Sequence, residues 1–413
     1  MPRAGFSSSS GVKILRLGTE VNRQNIFRPA SGSVWSLQTG EFGVAKNGLQ
    51  SPWSPATFSE VLNVGSPENI GQSGSNSQMS YLIEAIPAKH SNREEMVQYL
   101  AGFEGDDRGS DFWRRRLSFW WDQNPFSQAS LERGWLLRHR TNVVGFFGLI
   151  PMEYVYRAHS IPAIAATTWR VDREHRGESF GMFLKFQRVA PRHIVVDSTP
   201  NEVVLAVLKR FHYQFNTEAW EYFFPIRHAE CSPASVLINF AHFFMQRTLP
   251  GDDLRIVTDP GTHPLAREFM DSERLEKRIT PEYLKWYCAS PDMEKRFVGC
   301  LNPAGQVTSY LLLVRERFKK IDAVTVIDDF TTQRDNRELL ALVGAVCRQP
   351  SILGAWSGAR LLVWRSFEGG LLSGKSSLGT VRRRIGHTQF FQVPAEFSKV
   401  PKRFVVAEGD LGY

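Results

Sequence analysis

Trp169-Arg-Val-Asp-Arg-Glu-His-Arg-Gly-Glu-Ser-Phe-Gly-Met-Phe-Leu184 decides how this 413-residue chain is read. It opens as a strand, passes through a basic, glycine-bearing turn, and continues into a segment where Phe180, Phe183 and Leu184 recur at helical spacing until Pro191. A helix entered this way leaves first-turn N–H groups without intrahelical partners, and the helix dipole adds to their pull on an anion. Residues Arg176 to Gly181 are therefore expected to cradle a phosphate, and a pyrophosphate-bearing ligand is the leading expectation.

Spacing narrows the ligand. A P-loop needs Gly-x-x-x-x-Gly-Lys-Ser/Thr, which is absent, and a dinucleotide fingerprint needs Gly-x-Gly-x-x-Gly, whereas this segment offers Gly177 and Gly181 alone. The run does fit Arg/Gln-x-x-Gly/Ala-x-Gly/Ala, with Arg176 first, Ser179 fourth and Gly181 sixth. In that pattern the stretch resembles the acyl-CoA loop of the GNAT (GCN5-related N-acetyltransferase) superfamily. Ser179 departs from the usual glycine but is small enough to let a phosphate near the backbone. Val171-Asp-Arg-Glu-His-Arg-Gly177 also resembles the family's strand-end phrase Val-x-Pro-x-x-Arg-Gly.

The surroundings agree. Gly134-Trp-Leu-Leu-Arg-His-Arg140, Asn142-Val-Val-Gly-Phe-Phe-Gly-Leu-Ile150 and Pro162-Ala-Ile-Ala-Ala-Thr-Thr-Trp-Arg-Val171 read as three strands feeding the loop, after a first strand near Tyr81 to Ile86. Helices are expected around Arg93 to Leu100 and Ser110 to Trp121. After the loop come a helix, a strand at His193 to Thr199, a helix from Asn201 to Tyr213 and a strand at Glu218 to Phe224. This ββββαβαβ order is the GNAT order. Trp121-x-x-Asn-Pro125 and Pro200-Asn201 resemble phrases of a GNAT-like subgroup, although Asn124-Pro125 on its own reads as a helix terminator. Trp113, Trp120, Trp121 and Trp135 read as core or pocket wall rather than stacking platforms for bases.

The second half repeats the theme: a helix at Pro281 to Tyr287, strands at Arg296 to Cys300, Val307 to Val314 and Ala323 to Phe330, a helix at Arg337 to Cys347, and strands at Ala359 to Trp364 and Arg403 to Ala407. Where the first half has its basic loop, this one has Thr331-Thr-Gln-Arg-Asp-Asn336 beside Asp328 and Asp329, which would repel a phosphate. The expected fold is thus α/β (α+β, mixed sheet), with two GNAT-like units in tandem. Residues 1–78 form a low-complexity tail in which Val12 to Leu17 is one candidate strand, residues 79–248 carry the acyl-CoA loop, and residues 249–413 form a degenerate second unit. Two such units in one chain can act as a pseudo-dimer.

Composition bounds the rest. The formal charge of +8 comes with no nucleic-acid motif, so Arg114-Arg-Arg116, Lys319-Lys320 and Arg382-Arg-Arg384 are read as solvated charge and no specific nucleic-acid partner is expected. Cys231, Cys288, Cys300 and Cys347 show no Cys-x-x-Cys spacing, which points to free thiols, no metal site and a cytoplasmic setting. No apolar run approaches the ~18 residues of a membrane span. The arginines and serines near the start leave an organelle transit peptide as a minority reading.

The resemblance implies that an acyl-CoA, acetyl-CoA or a longer one, lies between the fourth and fifth strands. Backbone near Thr168, Trp169 and Val171 would bond the pantetheine arm, and Arg176, Gly177, Glu178, Ser179, Phe180 and Gly181 would hold the pyrophosphate, with Asn201 close by. The acceptor, a small molecule, sugar or amino acid, would lose a proton to a base, for which Asp197 and Glu153 are candidates beside ordered water. The family's usual acid, a tyrosine, falls on Leu208, leaving Tyr213 as the substitute. His159 and His212 read as exposed histidines. The expected function is an acyltransferase acting by direct attack in a ternary complex. The alternatives are a non-catalytic acyl-CoA or partner-binding protein, and an aminoacyl-tRNA-dependent transferase.

Overall fold

The computed structural model describes residues 81–87, 92–198, 200, 202–227, 233–246, 249–250, 253–267, 272–318, 321–333, 335–367 and 381–406. The expected tail at 1–78, with its candidate strand at Val12 to Leu17, lies outside the described residues, as do Asn201 and Cys231.

Among the described residues one mixed sheet holds thirteen strands. Its first half contributes β1 (Tyr81–Ala85), β2 (Gly134–His139), β3 (Asn142–Tyr156), β4 (His159–Val171), β5 (Ile194–Asp197) and β6 (Gln214–Pro225). The second contributes β7 (Arg255–Val257), β8 (Glu276–Lys277), β9 (Lys295–Leu301), β10 (Val307–Phe318), β11 (Ile321–Thr331), β12 (Leu361–Ser366) and β13 (Val381–Gln392). The helices are α1 (Arg93–Ala101), α2 (Gly109–Trp121), α3 (Ser179–Val189), α4 (Glu202–Arg210), α5 (Pro233–Gln246), α6 (Pro281–Cys288) and α7 (Arg337–Arg348).

Strand order is β1-β2-β3-β4-β5-β13-β6-β12-β11-β10-β9-β7, with β8 against β3. Each half is an antiparallel meander that ends in a parallel pair, β4 with β5 and β11 with β12. The closing strands are exchanged. β13 stands antiparallel between β5 and β6, and β6 stands antiparallel between β13 and β12, so each half is completed by the other. Neither β5 nor β12 is left with an open edge.

Both faces are covered. On one, α1, α2 and α6 share a core: the indole of Trp286 stacks on Phe119 at 4.6 Å and donates to the Phe119 carbonyl at 2.8 Å, joining the halves. Trp113, Trp120 and Trp121 are buried there, and Trp135 is buried beneath α3. On the other face the halves have separate clusters, one under α3 and α4 and one under α5 and α7. Asn124 does more than end α2. Its amide donates to the carbonyls of Trp120 and Pro151 at 3.0 and 2.9 Å, clamping the helix end to β3.

Two expectations are corrected. The last strand is Val381–Gln392, not Arg403 to Ala407, whose described part forms no strand beyond an isolated bridge of neighbouring Lys402 to Leu275. The charge of Arg382 to Arg384 concealed this strand, and that charge is paired rather than merely solvated. Arg382 lies over the Trp220 ring at 5.0 Å, Arg383 bonds Glu221 at 2.5 Å, and Arg384 pairs with Glu218. Arg114 likewise binds Glu94 and Asp111, and Arg116 binds Asp292.

Candidate functional site

β4 and β5 pair at only three positions, Ala163 with Ile194, Ile164 with Val195 and Ala165 with Val196. Beyond them the strands part, while β3 stays with β4 to Val171. The register of β3 and β4 slips where Phe146 faces Arg170 but Gly148 faces Thr167, so Thr168 and Trp169 together oppose Phe147. This is a β-bulge, a device that bends a strand and re-aims its side chains. Thr168 adopts φ 49°, a costly conformation for a β-branched residue.

The parted strands open a cavity of about 120 Å³ on the α3/α4 face, lined by Ala166, Thr167, Thr168 and Trp169 of β4 and by Asp197 of β5. Phe183 and Phe186 of α3, Val204 and Leu208 of α4, Phe147, Pro200 and Phe390 complete it. Trp169 stacks between Phe147 and Phe183 at 5.2 and 5.8 Å, and its buried indole N–H has no hydrogen-bond partner. A buried donor left without an acceptor costs free energy that a polar ligand can recover.

Just after β4, residues Arg173–Glu178 form a 3₁₀ turn that runs directly into α3. The Ser179 hydroxyl, buried, donates to the Arg176 carbonyl at 2.6 Å and knots the turn. Arg176 donates weakly to the Val171 carbonyl at 3.4 Å. Burial, and then the charge of Arg173, hold its guanidinium below its ordinary pKa, a load that an anion would relieve. Asp172, which opens the turn, has its carboxyl raised by burial. A Cβ added to Gly177 would meet no atom within 4 Å, so the backbone there is open. One added to Gly181 would lie 2.6 Å from Ile83 Cδ1, so Gly181 serves the packing of α3 on β1. Glu178 is exposed, Phe180 packs on Phe183 and Phe211, and Val171 is buried in the core.

Of the three candidate acid–base residues, Asp197 is on the cavity wall. Glu153 pairs with Arg278 at 2.5 Å and stands opposite Pro162, toward the other end of β4. Tyr213 is buried behind Phe390, edge to face at 5.4 Å, and its hydroxyl accepts from Gln187 at 2.7 Å. Burial raises that phenol well above its ordinary pKa. Leu208, in the place of the usual tyrosine, does line the cavity and brings no proton. The sequence reading did not single out Phe147, Phe186, Val204 or Phe390 as wall residues. The first three carry no mark beyond being apolar, and Phe390 enters through a pairing 193 positions away in the chain, which only the exchange reveals.

The second half has a matching split that is filled. β11 bulges near Ile327, and Asp328 and Asp329 follow on it. Lys277 bonds Asp328 at 2.7 Å, and Arg403 bonds Asp329 at 2.5 Å, leaving a void of about 10 Å³. That is room for roughly one water. Among the described residues no group of three or more His, Cys, Asp or Glu side chains is arranged to hold a metal ion, and no single helix is long and apolar enough to cross a membrane. Cys288, Cys300 and Cys347 are free thiols.

Element order, the β4/β5 split and the bulged fourth strand define a GNAT-type fold in two linked copies. No protein-family model and no curated protein matches the chain. Among solved structures it is similar to a GCN5-related N-acetyltransferase from Kribbella flavida (12% identity, TM-score 0.48, 77% of this chain and 72% of that one). It is also similar to a probable N-acyltransferase from Enterococcus faecalis V583 (9%, 0.46, 76% and 73%). A third is the N-myristoyltransferase of Saccharomyces cerevisiae with bound myristoyl-CoA (11%, 0.42, 84% and 89%).

Proposed function

We propose that the protein is an acyltransferase that uses an acyl-CoA as donor and an amine or hydroxyl as acceptor. The observation that carries this reading is the cleft itself: a bulge-opened gap between two parallel strands, with a carboxylate in its wall, on a fourth strand that leads directly into a cationic helix entry.

The residues fit such a donor. Arg176 and the open backbone at Gly177 would hold the pyrophosphate, Thr168 and Trp169 would bond the pantetheine arm, and the aromatic walls would exclude water. When bound, acyl-CoA supplies an activated thioester. A bulge N–H on β4 would polarise the carbonyl, and Asp197 would take the proton that the attacking amine or hydroxyl loses. With Leu208 in the tyrosine's place and Tyr213 engaged by Gln187, the leaving thiolate would draw its proton from solvent.

That missing acid favours a second reading, an acyl-CoA-binding protein without transfer. One series of measurements tests both. Calorimetric titration with acetyl-CoA should saturate, and Arg176→Glu should weaken binding at least ~30-fold, as expected for removing a charge-assisted contact and adding repulsion. Absence of saturable binding by the wild type would overturn the proposal. Free CoA released with a panel of amines, amino sugars and amino acids marks an enzyme, and binding without release marks the second reading.

A further inference from the structure

We propose that Phe390, supplied by the second half, sets the longest acyl chain the cleft accepts, and that the donor's acyl group reaches about six carbons at most. This rests on the acyl-CoA reading above and gives it a substrate class. A dry cavity of roughly 150 Å³ takes benzene, whereas the whole cleft, the part lined by Thr168 and Trp169 included, measures about 120 Å³, which is an upper bound on the space for the acyl chain. A fourteen-carbon chain does not fit without rebuilding a wall. Phe186, Leu208 and Phe390 are each 1% exposed, so these wall residues are packed into the core rather than against solvent.

Phe390 is held from behind by a hydrogen-bonded tyrosine. Tyr213 meets it edge to face at 5.4 Å, and the Gln187 amide holds the Tyr213 hydroxyl at 2.7 Å. Its backbone is fixed as firmly, because β13 is paired on both sides, with β5 and with β6. The ring cannot withdraw without breaking that hydrogen bond or the sheet. Shortening it extends the cavity toward the Tyr213 ring.

Calorimetry on the full-length protein with acetyl-, butanoyl-, hexanoyl-, octanoyl- and tetradecanoyl-CoA tests this. Wild-type affinity should rise about fourfold per added methylene while the chain fits, then fall at least tenfold by octanoyl-CoA. Phe390→Ala should move the break outward by two or more carbons, and Phe390→Leu does the same to a lesser extent if the alanine variant fails to fold. Tetradecanoyl-CoA bound by the wild type as tightly as hexanoyl-CoA, or an unmoved break in folded Phe390 variants, would overturn this inference alone. A wild type that binds no acyl-CoA of any length would overturn the acyl-CoA reading and this inference together.

Discussion

Phe390 stands directly opposite Asp197 in the antiparallel pairing of β13 with β5, so the last described strand walls the cleft of the first half. The converse holds at β12, whose free side is taken by β6. Two units that exchange closing strands are one cooperative body, since deleting either strand opens two edges at once.

Removing residues 381–413 should therefore abolish folding of both halves. The full chain is expected to unfold in urea in a single transition, with tryptophan fluorescence and far-ultraviolet circular dichroism coinciding, and the truncated chain to show no such transition. A truncated protein that remained monomeric and still bound acetyl-CoA would show that β13 is dispensable.

Gly177 separates binding from stability. Its φ is not in the left-handed region and an added Cβ meets nothing, so Gly177→Ala should leave unfolding free energy unchanged or raise it by up to ~1 kcal/mol. Acyl-CoA affinity should nonetheless fall, because the methyl group covers backbone that a phosphate must approach. Equal losses in stability and affinity would make Gly177 structural only.

Asp197→Asn keeps the wall's shape and removes its charge. We expect kcat to fall ~10²- to 10⁴-fold, the range for a general base, with donor affinity within threefold of wild type. A change in donor affinity at constant kcat would remove Asp197 from proton transfer and leave it a wall residue.

The filled second split gives a stoichiometry and a stability effect. Calorimetry should report one acyl-CoA per chain. Lys277 and Asp328 are 7% and 1% exposed at their side chains, so Lys277→Met, which strands a buried carboxylate, should cost ~3–5 kcal/mol in denaturant unfolding. Adding Asp328→Leu should recover most of it.

How much of this was legible in sequence depends on the range of the interaction. The helix entry at Arg176 and the meander before it are local patterns, and the bulge lies where the loop motif predicted the cofactor strand. The exchange was not legible, because the pairing of Phe390 with Asp197 has no local signal and Arg382 to Arg384 read as surface until Glu218, Glu221 and Trp220 are placed beside them. Asp328 and Asp329 read in sequence as repulsive to phosphate, but their partners Lys277 and Arg403 lie 51 and 74 residues away.

Lys295 should leave a mark on stability against pH. The residue is 6% exposed, and its buried ammonium has no hydrogen-bond partner and lies 4.6 Å from the centre of the Tyr287 ring. Burial lowers its pKa from 10.5 to about 7, with Cys288 and Asp292 opposing the shift. The folded protein therefore binds fewer protons than the unfolded chain between those values, and stability rises with pH across that window. The penalty is fully present below about pH 7 and is relieved as pH climbs toward 10.5. Cys288, its thiol pushed up to about 12, acts in the opposite sense only above its ordinary value of 9, and His242 and His387, lowered from 6.5, act at more acid pH. Urea unfolding between pH 7 and about 8.5 should thus show a gain of ~1–2 kcal/mol in the wild type. Lys295→Met should be flat over the same range and more stable than wild type at pH 7, and a wild-type curve already flat there would mean that Lys295 stays charged in the fold.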